Sequence, residues 1–165
     1  MSRAFVKELD DQDKDDVIER PQSEYPNYIT MMGLDQIKND LEQMRNQHRE
    51  LKSREDELAV KSQIKSLEAD IRYLEKRVQC ALPVDPGLQS GDEIRFGARV
   101  RLIDDNGDYH TFRIVGEDEA DAGKGDISWV SPLAMKLIGR QAGDTLVWEK
   151  PTGALELEVL EINYE

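Results

Sequence analysis

The stretch Leu34-Asp35-Gln36-Ile37-Lys38-Asn39-Asp40-Leu41-Glu42-Gln43-Met44 spaces its apolar residues alternately three and four apart, and Leu51 continues the series with His48 at the intervening position. The same alternation returns at Val60, Ile64, Leu67, Ile71, Leu74, Val78 and Ala81, and stops at Pro83, which cannot continue a helix. This spacing paints one narrow apolar stripe along a helix, the pattern of a heptad seam. Two such helices joined by a short charged stretch bury their stripes best against each other, which predicts an antiparallel hairpin over residues 28–83. Arms of similar length pair outward from their turn, so its expected centre lies near residue 57. Ser53, Arg54, Glu55, Asp56 and Glu57 then sit at or beside the tip, and Ser53 and Asp56 are residues that cap helices.

Working outward, residues 1–27 combine an acid-rich run with Pro21 and Pro26 and offer little to bury, which predicts a flexible acidic arm. Residues 84–165 read as a β-rich domain. An extended segment over 93–103 is followed by Asp105-Asn106-Gly107-Asp108, whose Asn-Gly pair favours a tight hairpin, and by a partner strand over 109–115. An acidic loop spans 116–126, and a short strand 127–130. Ser131 as N-cap and Pro132 at the first helical position open a brief helix over 133–138, stopped by Gly139. A second hairpin over 145–162 turns at Pro151-Thr152-Gly153, with alternation that falters at Val159-Leu160. The fold class expected is α+β: a helical hairpin, then a sheet of four or five strands with one short helix across a face.

Charged residues make up 35% of the 165 residues against 38% hydrophobic and 6% aromatic, so much of the molecule must be solvated surface. The net charge of −13 is uneven: residues 1–27 hold eight acids and four bases, 28–83 ten of each, and 84–165 seventeen acids and eight bases. A protein that grips duplex DNA through its phosphates needs a basic surplus, and no segment has one. Cys80 is the single cysteine, which excludes an internal disulfide, and it is expected to fill a small space beside the helix end. With only His48 and His110 as histidines, no metal site is expected in the chain alone. No apolar run reaches the roughly 18 residues of a membrane span, and no signal-peptide pattern opens the chain, so a cytoplasmic, monomeric protein is expected. A Gly-rich phosphate loop, a nucleophile elbow and a His-Glu metal helix are all missing, which argues against a self-contained hydrolase. Trp129 and Trp148 read as core residues.

The order of hairpin, Pro83-Val84-Asp85 junction, Phe96-Gly97-Ala98-Arg99-Val100, Phe112-Arg113-Ile114-Val115-Gly116-Glu117-Asp118-Glu119-Ala120-Asp121 and Ser131-Pro132-Leu133-Ala134 resembles the Gre family of transcript-cleavage factors, GreA and GreB. The likeness covers residues 29–164. Arg72-Tyr73-Leu74-Glu75-Lys76-Arg77, the opening Met1-Ser2-Arg3-Ala4-Phe5-Val6-Lys7-Glu8 and Tyr28-Ile29-Thr30 resemble a GreB-like subgroup with shortened hairpins. The resemblance implies a β-domain of FKBP-like fold that docks at the rim of the RNA polymerase secondary channel. It further implies a hairpin whose acidic tip reaches the active centre, where carboxylates help hold a second Mg²⁺ of the polymerase and orient the water that cleaves backtracked RNA. The enzyme is then the polymerase, and this chain its accessory factor.

Carried over residue by residue, the resemblance makes Glu55, Asp56 and Glu57 the tip acids, although the family's Gly-Asp-x-x-Glu-Asn-Ala-x-Tyr pattern is absent. The alternative for these three is ordinary capping of helix ends by acids. The hairpin is shorter than the family's by about two heptads, on the order of 10 Å of reach per arm. Val130, Ser131, Pro132, Leu133 and Ala134 match the segment that contacts a coiled coil of the polymerase β′ subunit, with Val130 where the family often has Asp or Asn. Arg45, Arg49, Lys52 and Arg54 would face the nascent RNA within the complex, or else be solvated helix charges paired at i, i+4. Two other functions stay open: a non-cleaving occupant of the channel that competes with cleavage factors, and, remotely, a prolyl isomerase or chaperone module.

Overall fold

The computed structural model describes residues 19–54 and 58–164. Strand β1 (Asn27–Thr30) leads straight into helix α1 (Met31–Lys52), which is followed by α2 (Leu58–Gln79) and strand β2 (Ala81–Val84). The heptad reading holds along the arms: Ile37 and Leu41 of α1 are buried with Val60, Ile64, Leu67 and Leu74 of α2, and Leu34, Met44, Ile71 and Val78 are half-buried. Each arm has 22 residues, about 33 Å at 1.5 Å per residue. The helix does not run to Pro83. It ends at Gln79, and Ala81 belongs to β2, which pairs in parallel with β1 from Asn27 opposite Ala81 to Thr30 opposite Val84. The connection lies between Lys52 and Leu58, a few residues before the expected centre, and Ser53 caps the end of α1.

The second layer is a five-stranded mixed sheet in the order β5-β4-β3-β7-β6. Its strands are β3 (Arg99–Asp104), β4 (Tyr109–Val115), β5 (Asp126–Ser128), β6 (Thr145–Lys150) and β7 (Gly153–Asn163). The extended segment expected from residue 93 begins as a strand only at Arg99, and Glu93 forms an isolated bridge to Gln141. The β3–β4 turn is where sequence placed it, with Gly107 at φ +89°. That turn is held by Asp104, whose carboxylate accepts from the backbone N–H of Asn106 at 2.9 Å and of Asp108 at 3.0 Å and meets His110 Nε2 at 2.8 Å. The His110 bond, joined by those amides, keeps the Asp104 carboxyl below its usual range.

One face of the sheet carries the core. Val100 and Leu102 of β3, Ile114 of β4 and Leu157 and Val159 of β7 alternate inward with period two, and helix α3 (Pro132–Leu137) lays Leu133, Ala134 and Leu137 over them. The faltering alternation near Leu160 is a register shift: Arg101 faces Glu161 but Leu102 faces Val159, so Leu160 is an extra residue turned outward. Trp129 and Trp148 pack against this core as half-buried residues. Cys80 does not fill a cavity; it is exposed. No helix of the described residues is long and apolar enough to cross a membrane.

Leu157 is fully buried in the core between the sheet and α3. Leu157→Ala is expected to lower stability by about 2–5 kcal/mol, read from urea unfolding followed by tryptophan fluorescence.

Candidate functional site

The foot of the hairpin is built into the sheet domain by two carboxylates from the acidic run after β4. Glu117–Glu119 forms a single helical turn instead of an open loop, and it packs against β1 and β5. Arg77, in the last turn of α2, has a side chain only 2% exposed; its Nε donates to Asp118, which is 8% exposed, and its Nη2 lies 3.5 Å from Glu117. Tyr73, one turn earlier, donates its hydroxyl to the other Asp118 oxygen at 2.6 Å. Burial first, and then this bond to a carboxylate, push the Tyr73 phenol up to about 12. The backbone carbonyl of Arg77 accepts from the buried Asn27 side chain at 2.8 Å, which ties β1 to the same turn of α2.

Glu119 closes the other side of the foot. Thr30 caps α1, its hydroxyl oxygen accepting from the Gly33 N–H at 3.0 Å, and the same hydroxyl donates to Glu119. The second Glu119 oxygen accepts from the N–H of Thr30 at 3.0 Å and of Gly116 at 2.8 Å. Gly33 is required here because a Cβ at that position would overlap the Glu119 carboxyl group. Aromatic rings finish the junction: Tyr28 of β1 meets Trp129 edge-on at 5.2 Å and Phe96 at 6.0 Å. Sequence reasoning missed this foot. It read residues 116–126 as an acidic loop, since neither Arg77 nor the acids of that run carries a local signal of its partner.

Along the arms, charges pair across the seam. Arg45 Nη2 meets Glu75 Oε1 at 2.7 Å, and His48 Nε2 meets Glu68 Oε1 at 2.8 Å. The His48 bond holds the Glu68 carboxyl below its ordinary value of 4.5. A carboxylate thus faces the ring that interrupts the apolar seam. Arg45, Arg49, Lys52 and Arg54 are all exposed, and Arg45 is engaged across the hairpin, not at i, i+4. Glu55, Asp56 and Glu57 lie outside the described residues.

In the segment 130–134, Ser131 caps α3 by accepting from the Ala134 N–H at 3.3 Å, with Pro132 in the first turn. Leu133 and Ala134 are core residues, 5% and 0% exposed, so they shape this segment from beneath and offer no surface. What α3 presents outward is Pro132, Met135 and Ile138, with half-buried Val130 and Ser131 beside them. Among the described residues no group of three or more His, Cys, Asp or Glu side chains could hold a metal ion.

Three outcomes test the foot and the arms. Asp118→Ala leaves a buried guanidinium without its main partner and is expected to cost about 3 kcal/mol in urea unfolding, whereas Arg77→Met with Asp118→Leu, which removes both charges, recovers most of that loss. The folded chain holds the Tyr73 proton more tightly than the unfolded chain, so its contribution is complete below about pH 10 and disappears as pH rises through about 12. Absorbance titration should show a late tyrosinate step that Tyr73→Phe removes. Glu68 works in the opposite sense: its contribution is present above 4.5 and is lost as pH falls below that range, seen as decreasing helical signal that His48→Gln flattens.

The sequence model of the family described as Transcription elongation factor, GreA/GreB, C-term matches residues 89–164. A GreB of Neisseria meningitidis serogroup B is 44% identical over 93 residues, 56% of this chain and 57% of that protein. A GreA of Acidiphilium cryptum is 44% identical over 92 residues, 55% and 59% of the two chains. The matched region thus spans less than two thirds of these curated relatives. Among solved structures, Gfh1 of Thermus thermophilus, a GreA factor homologue, is 26% identical with a TM-score of 0.41, covering 84% of this chain and 99% of that one. Over residues 89–164 the chain is therefore similar to the C-terminal domain of the GreA/GreB transcription elongation factors.

Proposed function

We propose that this chain is an RNA polymerase-binding elongation factor, docked by its C-terminal domain at the rim of the secondary channel, with the hairpin inserted toward the active centre. The observation that carries this reading is the foot: buried Arg77–Asp118 and Thr30–Glu119 contacts make hairpin and sheet domain one body, so docking the domain aims the arms. The docking surface is the outer side of α3, with Val130, Ser131 and Pro132 against the β′ subunit. Among the described residues the chain's own acids do not enclose a metal. Mg²⁺ of the polymerase would supply Lewis-acid activation of water, and Glu55, Asp56 and Glu57 would lend it carboxylates. Arg45, Arg49, Lys52 and Arg54 face the nascent RNA in that complex.

A second reading, occupancy of the channel without cleavage, is favoured by the tip sequence Arg54-Glu55-Asp56-Glu57-Leu58-Ala59, which lacks the Gly, Asn and Tyr of the family motif. A backtracked elongation complex separates the two. Under the first, the protein shortens the RNA and the triple variant Glu55→Gln, Asp56→Asn, Glu57→Gln reduces the rate by at least about tenfold, on the order of 1.4 kcal/mol. Under the second, neither shortens it, and both slow cleavage by an added GreB. Pro132→Arg, at an exposed position, is expected to weaken co-elution with core polymerase by about tenfold while leaving the melting temperature unchanged. Undiminished co-elution of this variant would falsify docking through α3.

A further inference from the structure

A groove of about 900 Å³ runs between α1 and α2 on one face of the hairpin. It is lined by five bases, Lys38, Arg45, Arg49, Arg72 and Lys76, and by two acids, Glu42 and Glu75. Glu75 is already paired with Arg45, and among the described residues Lys38 and Lys76 meet no carboxylate. A row of bases on a chain of net charge −13 is a local reversal of sign.

The chain approaches this groove from its own N-terminal side. Traced backward from β1, Asn27 bonds to the Arg77 carbonyl, Gln22 to the Tyr73 carbonyl, Arg20 stacks over the Tyr73 ring at 3.8 Å, and Glu19 pairs with Arg72. The contacts step along α2 from 77 to 73 to 72, toward the hairpin tip, and the last of them is an acid on a base that lines the groove. Ahead of Glu19, beyond the apolar Val17 and Ile18, the sequence places Glu8, Asp10, Asp11, Asp13, Asp15 and Asp16, six acids within nine residues that include the single base Lys14. Residues 8–18 reach about 36 Å when extended, well over the roughly 16 Å of helix from Arg72 to Lys61.

We infer that the acidic segment of residues 8–18 seats in the basic groove of the hairpin and covers Arg45, Arg49 and Arg72. The occupant is intramolecular, and the six acids complement five bases that otherwise attract any polyanion. The covering of these bases regulates their access to nucleic acid. This inference does not rest on polymerase binding, since the groove and the Glu19–Arg72 pair belong to the free chain. Such a contact between exposed charges is salt-sensitive, because screening over about 10 Å at 0.1 M weakens it.

The test uses the full chain with a nitroxide at position 12, introduced as Gln12→Cys with Cys80→Ser, the latter at an exposed site. At 50 mM salt, amide resonances of α1 and α2 around Arg45, Arg49 and Arg72 should lose more than half their intensity, and 0.5 M salt should restore them. Replacing Asp10, Asp11, Asp13, Asp15 and Asp16 by Asn should abolish the loss, and a heparin fragment should displace the segment in the same way. Broadening confined to the sheet domain, or unchanged by the Asn variant, overturns the inference. So does broadening that appears between spin-labelled and isotope-labelled copies in a mixture, which would make a second copy the occupant.

Discussion

A guanidinium removed from water must find its anions within the protein, and Arg77 finds them on a different layer of the fold. That one requirement dictates where the hairpin stands. Asp118 must lie beneath the last full turn of α2, the Gly116–Glu119 turn must therefore abut β1, and β1 must start α1 where Glu119 can reach its cap. A pair of this kind adds little net stability over an apolar contact of the same shape. What it adds here is direction. An apolar patch would tolerate several rotations of the hairpin on the domain, whereas a carboxylate shared by a guanidinium and a phenol accepts one.

Much of this was legible in the sequence, and for identifiable reasons. The seam from Leu34 to Val78 repeats often enough for its period to stand out, and the Asn106-Gly107 and Ser131-Pro132 signals each encode a local backbone conformation. The parallel β1–β2 pair was not legible: Tyr28-Ile29-Thr30 and Ala81-Leu82-Pro83 are too short for a period of two, and their pairing spans more than fifty residues. Pro83 consequently looked like the helix stop, when α2 had already ended at Gln79. The acidic run after β4 failed for a different reason. Charge counting treats every Glu and Asp as solvated, and nothing local distinguishes Asp118, held under Arg77, from an exposed neighbour.

The candidate surfaces divide along the same line. Ser131-Pro132-Leu133-Ala134 was recognisable as a unit, yet two of its four side chains are committed to the core, so its outward chemistry is carried by Pro132 together with Met135 and Ile138. Arg45 looked like a solvated helix charge and His48 like a gap in the apolar seam, and in three dimensions they bridge the two arms through Glu75 and Glu68. The hairpin is thus cross-braced by polar pairs where its apolar stripe is thinnest, around the seam position that His48 occupies.

Glu119 receives the Thr30 N–H and hydroxyl from 89 residues earlier in the chain. On the ribosome, both helices are synthesised before the acceptor of the α1 cap, since the chain grows from its N-terminus at about 5–20 residues per second. The hairpin must wait several seconds as a seam without a foot, and the sheet domain, arriving last, sets the moment at which the whole lever becomes rigid.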